Sequence, residues 1–188
     1  MKEFAIINSR LPKVDAWAKV TGDARYTDDL TMPNMLYGAL LQSPFAHAKI
    51  KKIDISKAKK LPGVKDVVTA KEAGLVKYGV SPARYDETIF CDQKVRYIGD
   101  EIAAVAAVDP ETALEAVSLI EVEYEELPIL LDPFEAMKPG AIAIHDDFPN
   151  NICAEVHQEF GNVEEAFKTC DYIRTDKFVN KKQDGAFL

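Results

Sequence analysis

Between Lys94 and Leu127 the spacing of apolar residues changes period twice, and three consecutive elements follow from it. After Gly99 the run EIAAVAAV is almost unbroken in small and β-branched apolar residues, which predicts a strand covered on both faces. Asp109-Pro110-Glu111 then reads as a helix start. Asp is a favoured N-cap, Pro at the first helical position gives up an N–H that would be unpaired anyway, and Glu111 suits the positive end of the helix dipole. Ala113, Leu114, Ala116 and Val117 form the predicted buried stripe. From Ile120 the period drops to two, with Ile120, Val122 and Tyr124 alternating with glutamates, so a half-solvated strand follows and Pro128 closes the unit.

The same patterning organises the rest of the chain. Residues 1–34 contain LPKVDAWAKVTGDARYTDDLTMPN, rich in proline and aspartate and without a useful helical or strand period, and they read as an extended entry segment in which Trp17 and Tyr26 pin the chain to a domain surface. Leu36 to Leu41 reads as a buried strand in which Gly38 marks a bulge or a close backbone approach. A second strand is expected around Ala48, Ile50 and Ile53, a short helix capped by Ser56, a strand over Val64 to Thr69 and a short helix after Ala70. Residues 77–92 read as a surface loop. After Pro128 come a strand remnant, a short helix from Pro133 to Met137 and coil. Beyond Asn150 the pattern predicts a helix capped by Asn162, with Ala166, Phe167 and Cys170 on one side, followed by a strand DYIRTDKFV. The elements divide into an entry segment (1–34), a central α+β domain (35–136) and a linker leading into a further region (137–188).

Composition removes several functions. A formal charge of -8 on 188 residues, with Lys and Arg scattered, argues against nucleic acid as a partner. No apolar run is long enough for a membrane helix and the amino terminus does not fit a secretory signal, so a soluble, cytoplasmic protein is expected. Cys91, Cys153 and Cys170 are far apart and lack CxxC spacing, which supports neither disulfides nor a zinc or iron–sulfur site; each reads as a small buried or half-buried thiol.

The candidate chemistry is thin. His47, between small apolar residues at a strand entry, reads as a structural hydrogen-bonding residue. His145-Asp146-Asp147 looks like a metal cluster, but adjacent residues are poor shared ligands and Pro149-Asn150-Asn151 marks a turn, so the three read as a loop. His157 lacks a partner, and neither a nucleophile elbow nor a phosphate-binding glycine loop occurs. The glutamates from Glu121 to Glu126 read as a solvated strand face, with docking of a basic partner as a weaker alternative. No catalytic residue and no metal ligand is therefore assigned. A non-catalytic part of a larger enzyme and a free-standing interaction module both fit.

One resemblance bears on that choice. KVTGDARYTDDLTMPNMLYGALLQSPFAHAKI, IDISKAKKLPGV, VRYIGDEIAAVAA and LIEVEYEELP together resemble the amino-terminal region of the large, molybdenum-binding subunits of the xanthine dehydrogenase and aldehyde oxidase family. Each motif is structural, and in combination they cover nearly the whole chain. The resemblance implies an α/β hammerhead fold up to about Ala136 and then the start of a molybdopterin-binding region, within a subunit several times longer. It implies a molybdenum–molybdopterin cofactor, in its cytosine dinucleotide form, in that longer subunit and none in this stretch. Partner subunits carrying 2Fe-2S clusters and FAD are implied too, with an aromatic or heterocyclic small molecule as substrate. Gln183, in KKQDGAFL, matches a glutamine that relatives place near the molybdenum, although Gly185 stands where many relatives have His.

Overall fold

A computed structural model of the chain describes residue 7 and residues 10–79 and 85–180. It divides into two compact units, Met1–Cys153 and Ala154–Leu188. The first holds both sheets. Strands β1 (Tyr37–Gln42), β5 (Glu101–Ala107) and β3 (Val64–Thr69) form one antiparallel sheet in the order β1-β5-β3, and β4 (Lys94–Val95), β2 (Ala48–Asp54) and β6 (Glu121–Glu126) form the other in the order β4-β2-β6. This is the mixed α+β hammerhead that the sequence leads one to expect.

The helices form where local chemistry supplies their ends. Pro110–Ser118 is α4, and the Asp109 carboxylate accepts from the backbone N–H and the hydroxyl of Thr112, satisfying a donor that has no partner inside the helix. At α2 (Ser56–Lys60) the cap lies one step earlier than the sequence reading: Ser56 is already helical, and the Asp54 carboxylate accepts from its N–H at 3.0 Å. Thr69 and Glu72 make a reciprocal capping box at α3 (Ala70–Ala73). Between α2 and β3 the chain turns at Gly63 with φ +98°, where a Cβ would meet Thr112 Cγ2 at 3.1 Å and Val108 Cγ2 at 3.2 Å. Only glycine serves there.

Two apolar clusters meet at β5. On one side Ala103 and Val105 pack with Val67, Ala58 of α2, Ala116 of α4 and Ile120. On the other, Ile102 packs with Ala48 and Val95 of the second sheet and with Cys91 of the loop before β4. Leu41, Ile53 and Val122 touch both clusters and join them. Alanines at the helix–sheet contacts let α2 and α4 lie close on the strands, because a small side chain leaves no gap to fill.

Several expectations need correction. β5 is covered on one face along its full length, but on the other only Ile102 is buried, while Ala104 and Ala106 remain half-exposed. β1 is likewise open on one side: Leu40 is 52% exposed and Leu36 also faces solvent. Gly38 sits at no bulge, since the register shift falls at Leu41/Gln42, and among the described residues a Cβ there would meet only Val105 O at 3.9 Å. Leu114 leaves the predicted stripe of α4, at 65% exposure, because the turn it occupies faces away from the strands. The entry segment contains a helix, α1 (Ala16–Thr21), and a 3-10 turn at Thr27–Asp29, and neither Trp17 nor Tyr26 pins it, both being largely exposed. Residues 129–131 form no strand; α5 (Pro133–Ala136) follows as expected, capped by Asp132.

In the second unit Asn162 caps α6 (Val163–Lys168) as predicted, its side-chain oxygen accepting from Glu165 N–H. The stretch 171–179, expected as a strand, joins neither sheet, so it lacks the ladder that defines a strand.

Ile102 is wholly buried where the two clusters join. Ile102→Ala is expected to lower the unfolding free energy by about 2–5 kcal/mol and Ile102→Val by about 1 kcal/mol, as measured by urea denaturation.

Candidate functional site

Polar side chains of the first unit converge at one place, on the segment 141–151 that follows α5. Asn151 organises this segment from within. It adopts φ +56°, a left-handed conformation that asparagine tolerates better than most residues. Its side-chain oxygen accepts from Ile144 N–H at 2.8 Å, and its amide donates to the carbonyls of Ala136 and Ile142. The turn signal at Pro149-Asn150-Asn151 is thereby borne out.

The rest of the protein grips the segment through charge. Lys94, on β4 and almost fully buried, donates from Nζ to Asp146 Oδ1 at 2.8 Å and to the Ala143 carbonyl at 3.2 Å. Arg96 donates from Nε to the Ile144 carbonyl and from a terminal nitrogen to the Lys94 carbonyl. His145 Nδ1 lies 3.3 Å from Asp86 Oδ2, and Lys77 pairs with Asp147. His145, Asp146 and Asp147 thus behave as the loop the sequence indicates, and each one faces a different partner.

Electrostatics follow from this layout. The Lys94 hydrogen bond holds the Asp146 carboxyl below its ordinary range, and Lys77 does the same for Asp147. Burial, then the adjacent Arg96 cation, pushes the His145 imidazole down, with Asp86 opposing. Behind the segment lies a cavity of about 410 Å³ lined by Tyr78, Cys91, Arg96, Asp100 and His145 among others. Asp100, at the turn before β5, is buried and accepts from the Arg96 backbone N–H at 2.8 Å. Burial, reinforced by the Asp100 carboxylate, pushes the Cys91 thiol up, the opposite of what an attacking thiolate requires.

The other candidates lie apart. His47 is buried and its Nδ1–H donates to the Pro128 carbonyl at 2.8 Å, which fixes the ring as the structural residue expected, while Nε2 has no partner among the described residues. His157 has a neighbour after all, Glu159 at 3.5 Å, but both are exposed. Cys91 is buried as expected, whereas Cys153 and Cys170 are exposed, against the expectation. Of the acidic run on β6, Glu121 pairs with Lys57 and Glu125 with Lys51, in keeping with a solvated face. Gln183 lies outside the described residues.

Among the described residues no group of three His, Cys, Asp or Glu side chains could hold a metal ion, and no helix is long and apolar enough to cross a membrane. Of the residues around the cavity, Arg96 and Asp86 engage residues 141–151, while Asp100 holds the Arg96 backbone and Thr88 the Phe90 carbonyl. The sequence missed the grip itself, because its partners lie 48 to 70 residues apart. Lys94 was the available signal: a lysine inside an apolar-flanked strand start needs a buried partner.

Polar groups that hold a connecting segment, beside two three-stranded sheets joined through shared apolar packing, have the character of a scaffold. The chain belongs to the family described as aldehyde oxidase and xanthine dehydrogenase, a/b hammerhead domain, whose model matches residues 21–128. It is 40% identical over 175 residues to a probable xanthine dehydrogenase subunit of Bacillus subtilis, covering 93% of this chain and 23% of that subunit. It is 35% identical over its whole length to the nicotinate dehydrogenase large molybdopterin subunit of Eubacterium barkeri, of which it covers 43%. Among solved structures, the aldehyde oxidoreductase of Desulfovibrio gigas matches with a TM-score of 0.71 and 34% identity over 86% of this chain and 19% of its own. The chain thus spans less than half the length of each of these relatives.

The unequal burial of the two pairs predicts unequal costs. Asp146→Ala leaves the buried Lys94 short of a charged acceptor and is expected to lower stability by about 1–2 kcal/mol, whereas Asp147→Ala, whose partner Lys77 is exposed, is expected to leave the urea midpoint unchanged. His145 predicts a pH dependence. Its pKa is lower in the folded chain, so the unfolded chain binds more protons and acid favours unfolding. Stability should fall as pH drops through the unfolded value near 6.5 and continue falling to the folded-state pKa. Urea midpoints between pH 8 and pH 5 should show this decline, and His145→Gln should flatten it.

Proposed function

We propose that this chain is the amino-terminal structural part of the large, molybdenum-binding subunit of a molybdenum-dependent oxidoreductase. One observation carries the reading: the whole chain aligns with a large molybdopterin subunit yet accounts for less than half of it, while the matched domain is built as scaffold. In the longer subunit residues 35–136 form the hammerhead. Residues 137–188 are the linker and the start of the molybdopterin-binding region, and the grip on residues 141–151 fixes where that region begins relative to the hammerhead. The cofactor, in its cytosine dinucleotide form, is held by downstream residues, with Gln183 near the metal. It provides oxygen-transfer chemistry at the carbon of an aromatic or heterocyclic substrate. Electrons pass to or from 2Fe-2S and FAD groups on partner subunits in the cytoplasm.

For the substrate we propose 4-hydroxybenzoyl-CoA, from which the enzyme reductively removes the phenolic hydroxyl. Support comes from GAIAIHDDFPNNI and VHQEFGNVEEAFKTCDYI, which resemble the large subunit of 4-hydroxybenzoyl-CoA reductase. A xanthine dehydrogenase-like hydroxylation is the alternative, supported by the likeness to the Bacillus subtilis protein.

The test is to purify the full gene product with its neighbouring subunits, measure molybdenum and iron, and assay 4-hydroxybenzoyl-CoA reduction beside xanthine hydroxylation. Molybdenum with reductase activity is the expected result. Molybdenum with xanthine hydroxylation instead would replace the substrate, and matured enzyme without molybdenum would overturn the proposal.

A further inference from the structure

Every strand edge in the two sheets but one carries a device against stray pairing. β6 has four glutamates, β3 has Lys65, Asp66 and a register shift beside them, and β4 is two residues long. Charge, irregularity and shortness are the usual means by which edges avoid adding another strand. β1 has none of these along its central residues. Its sequence is YGALLQ, uncharged throughout, regular until the shift at Leu41/Gln42, and its outer edge has no strand partner among the described residues.

The sheet face beside that edge is equally unprotected. Gly38 stands opposite Ala106 and Leu40 opposite Ala104, so the exposed side of β1 and β5 is apolar. A solvent-facing antiparallel sheet ordinarily alternates apolar with polar residues, and β6 in this same chain does so. β5 instead has the composition of a strand covered on both sides. Gly38 adds an independent sign, because glycine weakens a strand and no described residue approaches closely enough to require it.

We infer that the outer edge of β1 and the open face of the β1-β5-β3 sheet are the surface against which the remaining polypeptide of the large subunit packs, adding an uncharged extended segment alongside β1. The inference rests on the proposal that the chain is part of such a subunit. Its occupant follows from length: relatives matched over 93% and 100% of this chain extend well beyond the match, at 23% and 43% of their own length, and that polypeptide needs an apolar seat on this unit. An added strand would satisfy the outward backbone groups of β1 and bury Leu40 together with Ala104 and Ala106.

Leu40 and Leu114 provide the test. They are 52% and 65% exposed on opposite sides of the sheet, so this unit by itself treats them alike. Hydrogen exchange is followed by mass spectrometry in the full gene product as wild type, Leu40→Lys and Leu114→Lys, with molybdenum measured in each preparation. In the wild type, those amides of residues 36–42 that point away from β5 should exchange at least about a hundredfold more slowly than the exposed α1 segment. Leu40→Lys should speed that exchange about tenfold or more, while Leu114→Lys should leave it unchanged. Wild-type exchange at those outward amides as fast as at α1, or equal effects of the two substitutions, overturns the inference. The wild-type comparison decides by itself if Leu40→Lys does not accumulate. Molybdenum content reports separately on the proposed function, so bound molybdenum with a freely exchanging β1 edge sinks only the docking surface.

Discussion

The burial of β5 is the constraint on which the unit depends. Ile102, Ala103 and Val105 place one strand in two apolar clusters at once, and β1 and β3 both take their hydrogen bonds from it. Removing it would leave neither sheet with a core. The small side chains along it let α2 and α4 approach closely, and Leu41, Ile53 and Val122 pack against both clusters.

The second layer of organisation is polar. Lys94 and Arg96 leave β4 and reach the 141–151 segment, and Asn151 ties the same segment to the carbonyl of Ala136 at the end of α5. Lys94 is nearly buried while its partner Asp146 is exposed, so the ion pair gains little from Coulomb attraction through water. Its value lies in position: a buried cation accepts few alternative arrangements, and the Ala143 and Ile144 carbonyls it and Arg96 engage hold the backbone to one path. The segment is thereby held by groups from β4, α5 and the loop carrying Asp86, so its course is fixed from three directions.

Much of this was legible in the sequence. The succession β5, α4, β6 followed from a change of apolar period and from Asp109-Pro110, and the strands around Gly38, Ile50 and Val67 followed from apolar runs bounded by turn residues. The failures have physical causes. Pattern alone cannot tell a face buried within one unit from a face reserved for another, which is why β5 looked covered on both sides and Leu36 to Leu41 looked buried. The helix at Ala16–Thr21 was missed because it buries nothing, so its sequence carries no amphipathic signal tied to a core. The partners of His145, Asp146 and Asp147 were hidden because charge pairs between distant residues leave no local trace.

The order of strands in the two sheets has a consequence for how the chain is made. No strand pairs with its neighbour in sequence: β1 and β3 both wait for β5, and β2 waits for β4 and β6. With no hairpin among these six strands as a local nucleus, each of their pairings must close a loop of tens of residues before its contacts offset the lost chain entropy. On the ribosome, the first strands therefore emerge without a partner and stay open until β5 and β6 appear. The uncharged β1 is the strand longest exposed in that interval, which makes the hammerhead a unit whose safe assembly depends on the speed with which its second half follows its first.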